Sequence, residues 1–300
     1  MKQLNDEYKT WLQTLGFAIS TVKSLPQYVA EMLIWMQEQG ITGANQVTEE
    51  AIQNFFFHWK KRKNKRTGAG LSQNHANKAI TAINNFIKFL NLTYKQQLNL
   101  KLKREKLQTK IPQVLTIQEV QAIYEATYSN TRRVNIEAFG QRDRAMLAIY
   151  YGCGLRRSEG NNLIMSDILT EKKLIYVRKG KGSKERFVPI AEKGLQDIEA
   201  YIHHGRKWFL KPRQKQSNPE SDYFFINIEG KPMQEFTARV HLLKEAAGIN
   251  KKISLHTFRH SIATHLLQCG MDIEQIKKFL GHASLESTQI YTHIINEYEF

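Results

Sequence analysis

The stretch "HTFRHSIATHLLQCGMDIEQIKKFLGHASLESTQIYTH", residues 256–293, decides how the rest of the chain is read. It reads as three short helices. Gly281 separates the last two, Ser284 caps the final one, and Ile276, Phe279, Leu280 and Ile290 supply a packing face. Histidines, Arg259 and Tyr291 are gathered on these helices. A metal centre, a helix-turn-helix that grips DNA, or a metal-free site for phosphodiester chemistry would each account for such a cluster.

The metal reading is weak. His256 and His260 have the i,i+4 spacing that can chelate zinc from one helix face. However, Thr257 stands where zinc proteases carry their general-base Glu, no Cys or acidic cluster offers a third ligand nearby, and Arg259 between the two would repel a cation. Neither metal nor cofactor is expected. The helix-turn-helix reading is a serious rival, but it leaves His256, Arg259 and His282 without a role and offers only Gln289 to base edges.

Metal-free cleavage of a phosphodiester needs a nucleophile, cations for the phosphorane-like transition state, and an acid for the leaving oxygen. His256 and Arg259 lie one helical turn apart on one side. An Arg fork can hold two non-bridging oxygens at once. His282 sits at a helix break, and Tyr291 offers a phenol oxygen. Upstream, "YYGCGLRRSEG" ends a helix at Gly152–Gly154 and starts the next segment at Arg156, with Glu159 placed to orient a guanidinium. Lys181, between Gly180 and Gly182, is an ammonium that could protonate a leaving 5′-oxygen. Taken singly these are weak signals: an Arg-x-x-Glu is commonly a surface ion pair, and a Tyr near a C-terminus commonly packs. His260 reads as a structural hydrogen-bonder and His265 as lying on a helix flank.

Composition favours a polyanionic partner. The 300 residues include 44 Lys+Arg against 28 Asp+Glu, a net charge of +16, which points to nucleic acid or an acidic membrane surface. The run 60–66, with Lys60, Lys61, Arg62, Lys63, Lys65 and Arg66, reads as a phosphate clamp, and Lys179 and Lys184 flank Lys181 as further DNA contacts. The two cysteines, Cys153 and Cys269, imply no disulfide framework. No apolar run approaches the roughly 18 residues of a membrane span and no secretory signal is present, so a soluble cytoplasmic protein is expected.

The length suggests two domains. Apolar periodicity from Leu4 to about Leu90 predicts four amphipathic helices, with caps at Ser20, Thr48 and Ser72, in a small bundle. "LNLKLKREKLQTKIPQVLT" is basic and polar, has few groups to anchor it, and reads as the interdomain linker. The expected division is a helical domain over 1–100, a basic linker over 101–114, and a second domain over 115–300. In the latter, Lys173–Arg178 and Arg186–Ile190 flank a "GKGSK" turn as a hairpin, and "DYFFINIEGKPM" is expected to add a third short strand. The fold class is mainly α with a small β-sheet.

In this order, "IPQVLT", "GLRRSE", "GKGSKERFVPI", "HTFRHSIATHLLQCG" and "IKKFLGHASLESTQIYTH" resemble the tyrosine recombinase/integrase family, which includes Xer-type recombinases and mobile-element integrases. The resemblance covers nearly the whole chain. It implies a helical core-binding domain and a mixed α/β catalytic domain closing on duplex DNA. Arg156 and Arg259 would hold the scissile phosphate, with Lys181 as general acid, His256 and His282 as phosphate-facing donors, Glu159 supporting the first Arg, and Tyr291 forming a 3′-phosphotyrosyl link. Arg156 is preferred to Arg157 because it directly follows Gly-Leu. The implied activity is site-specific recombination through a Holliday junction by a homotetramer on two paired double-stranded DNA sites, with room for an accessory protein. A non-cutting basic DNA-binding protein and a type IB topoisomerase-like nicking-closing enzyme are the alternatives. Only "THIINEYEF" follows Tyr291, a short segment for exchange between protomers, and no further module precedes the bundle; the expectation is a simple recombinase acting on short paired sites.

Overall fold

The computed structural model describes residues 1–63, 68–106, 112–129, 135–178, 185–210, 222–282 and Thr288. The chain divides into two compact units, Met1–Thr109 and Lys110–Phe300.

The first unit contains α1 (Lys2–Thr14), α2 (Ile19–Glu38), α3 (Glu49–Lys61) and α4 (Gln73–Thr93). Their apolar stripes meet in one core that includes Tyr8, Leu12, Met32, Phe55, Ile83, Phe86 and Phe89. Two expected caps are in place: Thr48 Oγ1 accepts from Ala51 N at 3.2 Å and Ser72 Oγ from His75 N at 3.3 Å. The third is not. The Ala18 carbonyl accepts from Thr21 N and Val22 N, so α2 begins ahead of Ser20, which lies inside its first turn.

The stretch read as a linker without anchors is held along α4 over its first half. Asn77, Asn84 and Asn91 recur every seven residues, a spacing that keeps them on one helix face. Each side-chain amide clasps both backbone groups of one extended residue. Asn91 holds Leu98 at 2.8 and 3.0 Å, Asn84 holds Leu102 at 2.9 and 3.0 Å, and Asn77 holds Glu105 at 2.9 and 2.8 Å. Leu98, Leu100 and Leu102 pack on the bundle core, while Asn99, Lys101 and Lys103 alternate outward.

The second unit contains α5 (Ile117–Glu125), α6 (Ile136–Leu147), α7 (Arg157–Asn161), β1 (Ile168–Leu169), β2 (Leu174–Val177), β3 (Arg186–Pro189), α8 (Glu192–Ala200), α9 (Arg206–Leu210), α10 (Phe236–Ala246), α11 (Leu255–Gln268) and α12 (Ile273–Leu280). The antiparallel sheet has the order β1-β2-β3, with Val177 opposite Arg186. Its inner face, Ile175, Val177 and Val188, joins a core with Leu147, Tyr150, Ile198, Tyr201, Phe224, Phe236 and Phe258.

The hairpin matches expectation, but the third strand is β1 and not the segment around Phe224. The backbone there has only isolated bridges, Ile164 opposite Tyr223 and Ile226 opposite Pro232, and side chains take much of the place of a ladder. Arg206 donates to the carbonyls of Phe224 (3.3 Å) and Tyr223 (2.9 Å), and Arg142 donates to that of Ile226 (2.9 Å). Phe224 and Phe225 are both buried, which a one-sided strand does not allow. Both cysteines are free thiols. Among the described residues no helix is long and apolar enough to cross a membrane.

Candidate active site

After α6 the chain widens into a turn in which Cys153 N donates to Ala148 O, five residues back, at 2.8 Å. Such π-type turns re-aim the backbone that follows them. Gly154 then adopts φ +60°, and a Cβ there would lie 2.9 Å from Leu280 Cδ2. Only glycine combines that conformation with that proximity. The result is Arg156 at the N-terminus of α7, aimed into the unit, while Arg157 is exposed.

Glu159 caps that helix. Its Oε2 accepts from Arg156 N at 2.8 Å and its Oε1 from Arg156 Nη1 at 2.8 Å. Arg186, at the start of β3, donates both of its terminal nitrogens to the two oxygens of the same carboxylate at 3.0 Å each. Burial by itself would raise the Glu159 carboxyl pKa. The Arg186 hydrogen bond and then the Arg156 backbone N–H outweigh it and hold the group at about 2.

Arg259, on α11, is 3% exposed. It donates to Gly154 O at 2.6 Å and to Leu280 O at 2.7 Å, and stands 3.9 Å from Glu159 Oε2. Arg156 Nη2 donates to the next carbonyl, Gly281 O, at 2.8 Å. Two guanidiniums therefore hold successive carbonyls at the end of α12. That end is a Schellman turn: Gly281 N donates to Lys278 O and His282 N to Lys277 O, both at 3.1 Å, with Gly281 at φ +65°. The turn delivers His282 beside both guanidiniums.

His282 Nδ1 lies 3.0 Å from Thr288 Oγ1. Burial, then Arg259 and Arg156, push the ring to about 3. It is neutral at physiological pH, and a hydroxyl donating to Nδ1 places the ring proton on Nε2. His256, one turn before Arg259, is exposed at the surface; desolvation, Arg259, Arg156 and Arg157 lower its pKa. His260 is half-buried and held at about 4 by burial, His256 and Arg259. His265 is a buried clasp and not a flank residue. Its Nε2 meets Leu115 O at 2.9 Å and its Nδ1 meets Tyr151 OH at 2.9 Å, while Ser261 Oγ accepts from Leu115 N at 2.8 Å. One turn of α11 thus satisfies both backbone groups of Leu115, in the quoted "IPQVLT".

The structure brings Arg156, Glu159, Arg259 and His282 together, with His256 on the same helix as Arg259. Lys181 and Tyr291, with Lys179, Lys184, Lys65 and Arg66, lie outside the described residues. In the first unit Lys60 is paired with Glu105 at 2.5 Å. Arg62 pairs with Glu31 and stacks over Trp59, and Lys61 lies over the Phe57 ring at 3.9 Å; Lys63 is exposed. Part of the run read as a phosphate clamp is therefore engaged with the bundle itself. Sequence reasoning missed Arg186, although its place on the inward face of the second hairpin strand, in alternation with Val188, was the available signal.

The phage integrase family profile matches residues 113–297. The tyrosine recombinase XerC 2 of Ralstonia nicotianae is 32% identical over 297 residues, covering 96% of this chain and 80% of that protein. Among solved structures, the XerH site-specific recombinase bound to difH substrate in a pre-cleavage complex aligns with TM-score 0.72 at 20% identity, over 99% of this chain and 82% of that one. A lambda integrase tetramer bound to a Holliday junction aligns with TM-score 0.60 at 14% identity, over 96% and 76%. These last two likenesses concern the fold. Profile and relative lead to one assignment: the chain belongs to the phage integrase family, the tyrosine recombinases.

Proposed function

We propose that this recombinase cleaves and rejoins duplex DNA through a phosphotyrosyl ester formed by Tyr291, with Arg156, Arg259 and His282 surrounding the scissile phosphate. The observation that carries this reading is the placement of the Arg156 and Arg259 guanidiniums on the successive carbonyls of Gly281 and Leu280, beside His282. Three separated segments supply two fixed cations and a neutral imidazole donor, which is the set a developing phosphorane requires.

In the proposed step the Tyr291 phenol oxygen bonds to phosphorus as its proton passes to water. The bond from phosphorus to the 5′-oxygen breaks, and that oxygen takes a proton, with Lys181 as the acid. A phosphodiester has become a protein ester, and a 5′-hydroxyl from the partner duplex reverses the step, so the energy of the bond is retained. His256 assists proton transfer from the helix that carries Arg259. Exchange of both strands of two duplexes requires four such cleavages, which favours a homotetramer on two paired sites. Lys61, Lys63, Lys65, Arg66, Lys179 and Lys184 are proposed as DNA-backbone contacts, with Lys60 and Arg62 contributing after release from Glu105 and Glu31. The helical unit is the core-binding part and the second unit the catalytic part.

The test is covalent trapping on lightly nicked genomic fragments, where the freed strand diffuses away and the intermediate accumulates. Wild type should form an adduct mapping to Tyr291 and Tyr291→Phe none. An adduct that persists in Tyr291→Phe, or tight salt-sensitive binding without any adduct, would defeat the assignment; the second outcome would favour a non-cutting DNA reader.

A further inference from the structure

Glu159 poses an electrostatic problem. Its side chain is 5% exposed, and it lies among the two guanidiniums proposed to face the phosphate. A buried carboxylate there competes with the phosphate for the same donors, because both are planar or tetrahedral oxyanions that an Arg fork binds in the same way. Arg156 already spends one terminal nitrogen on it, and Arg259 is 3.9 Å away.

Arg186 answers this problem, and on the reading of the site given above we propose that it is a positioning residue. By chelating Glu159 it keeps that carboxylate from closing on Arg156 and Arg259. Both of its terminal nitrogens are bound to Glu159, and its Nε is buried against Gly281 with no hydrogen-bond partner among the described residues. A Cβ at Gly281 would stand 2.8 Å from the Arg186 guanidinium. With both arms of its fork on Glu159, Arg186 acts on the phosphate through that carboxylate and not as a ligand.

Its seat is rigid. Arg186 pairs with Val177 in the ladder, and Val177 and Val188 are buried on the inner face of the sheet. The guanidinium crosses from that sheet to the first turn of α7 and underlies the Gly281–His282 turn. One residue therefore links the hairpin, the Arg156 cap and the loop that delivers His282. It also changes the local charge. Arg156, Arg259 and Glu159 together carry one net positive charge; with Arg186 they carry two, matching the dianionic phosphorane of the proposed step. The largest of the effects opposing burial at Glu159 is the Arg186 hydrogen bond, in agreement with this division of labour.

The experiment measures single-turnover adduct formation and DNA affinity for wild type, Arg186→Gln, Arg186→Lys, Glu159→Gln and the Arg186→Gln/Glu159→Gln double variant. Arg186→Gln should cleave about ten- to a hundredfold more slowly, the size of effect a small misplacement of catalytic groups produces, with affinity within about threefold because its fork is held on Glu159 and not on phosphate contacts. Arg186→Lys, which can satisfy one oxygen but not both, should fall between. The distinguishing result is the double variant. Removing the uncompensated carboxylate should make it faster than Arg186→Gln alone, whereas a purely structural role for the ion pair makes it equal or slower, and that outcome overturns the proposal. If Arg186→Gln fails to fold, Arg186→Lys against Arg186→Lys/Glu159→Gln gives the same comparison. A wild type that forms no adduct overturns the proposed cleavage chemistry and this inference together; a wild type that cleaves beside a slow double variant overturns only the latter.

Discussion

Arg259 stands 3.9 Å from the Glu159 carboxylate, beyond hydrogen-bonding reach, whereas Arg156 meets the same carboxylate at 2.8 Å. The two proposed clamps are thus fixed in different ways. Arg156 is oriented by that charge as well as by Gly281 O. Arg259 is oriented by neutral carbonyls, Gly154 O and Leu280 O, which align a guanidinium without discharging it.

The Arg259 clamp is therefore expected to separate rate from stability. Arg259→Lys keeps the charge and loses the fork, and adduct formation should fall about 10²–10³-fold with the fold intact. Arg259→Ala should add a stability loss of about 1–3 kcal/mol, because two buried carbonyls lose their donor. Trapping on nicked DNA beside thermal unfolding of both variants measures the two effects. A lysine variant that cleaves at the wild-type rate would remove the fork from the mechanism.

His265 should behave in the opposite way. Its ring joins Leu115 O to Tyr151 OH inside the second unit and, among the described residues, faces no candidate phosphate ligand. His265→Ala is expected to cost about 1–3 kcal/mol, read as a lower denaturant midpoint, while the fraction that remains folded forms adduct at the wild-type rate. A folded His265→Ala protein with impaired cleavage would require a role for this histidine in the chemistry.

Those contrasts mark what the amino-acid pattern discloses. Arg156, Glu159, Arg259 and His282 are legible because each lies at a local break or a helical spacing: after Gly-Leu, three residues apart, one turn apart, after a glycine. Arg186 is legible only as an inward-facing strand residue; its role is not, because its partner is 27 residues away and nothing in a strand's alternation says which carboxylate it will meet. The three-asparagine ladder shows its seven-residue period in the sequence, but its partners are backbone groups, which leave no signature. The same physics hides the Tyr223–Ile226 segment. Its β-type side chains read as a strand, yet two distant arginines take the carbonyls that a neighbouring strand would have bound.

The histidines predict an acid limit to stability. His260 and His282 have folded pKa values of about 4 and about 3, below the unfolded value of about 6.5. As the pH falls below about 6.5 the unfolded chain binds protons that the folded unit does not, so stability is complete above that point. It is then lost progressively down toward pH 4 for His260 and toward pH 3 for His282. Each such histidine contributes a slope of up to about 1.4 kcal/mol per pH unit inside its window. Denaturant titrations of wild type, His260→Gln and His282→Gln between about pH 7.5 and 4.5, which cover the upper part of both windows, should show a shallower pH slope in each variant. Parallel profiles would mean that these rings titrate alike in the folded and unfolded states.

The asparagine ladder predicts a local loss of protection in the first unit. Asn84 supplies one donor and one acceptor to Leu102, and no other side chain type of that size provides both in one plane. Asn84→Ala should cost about 1–2 kcal/mol, and Asn84→Asp at least as much at neutral pH, since its carboxylate keeps the bond from Leu102 N–H but opposes Leu102 O. The effect should be confined to the clasped strand. Amide exchange at Leu102 should accelerate more than in the core of α4, because the strand can lift while the bundle stays folded. Lys101, Lys103 and Arg104 make the same event visible to trypsin. Wild type should resist cutting at these residues, each single variant should be cut faster, and Asn77→Ala/Asn84→Ala/Asn91→Ala fastest, with the Tyr8–Phe86 core still giving a cooperative unfolding transition. Equal cutting rates at Lys101 and Lys103 in wild type and the triple variant would show that the strand is not held by its asparagines but by the packing of Leu98, Leu100 and Leu102, and the ladder would then be a consequence of that packing.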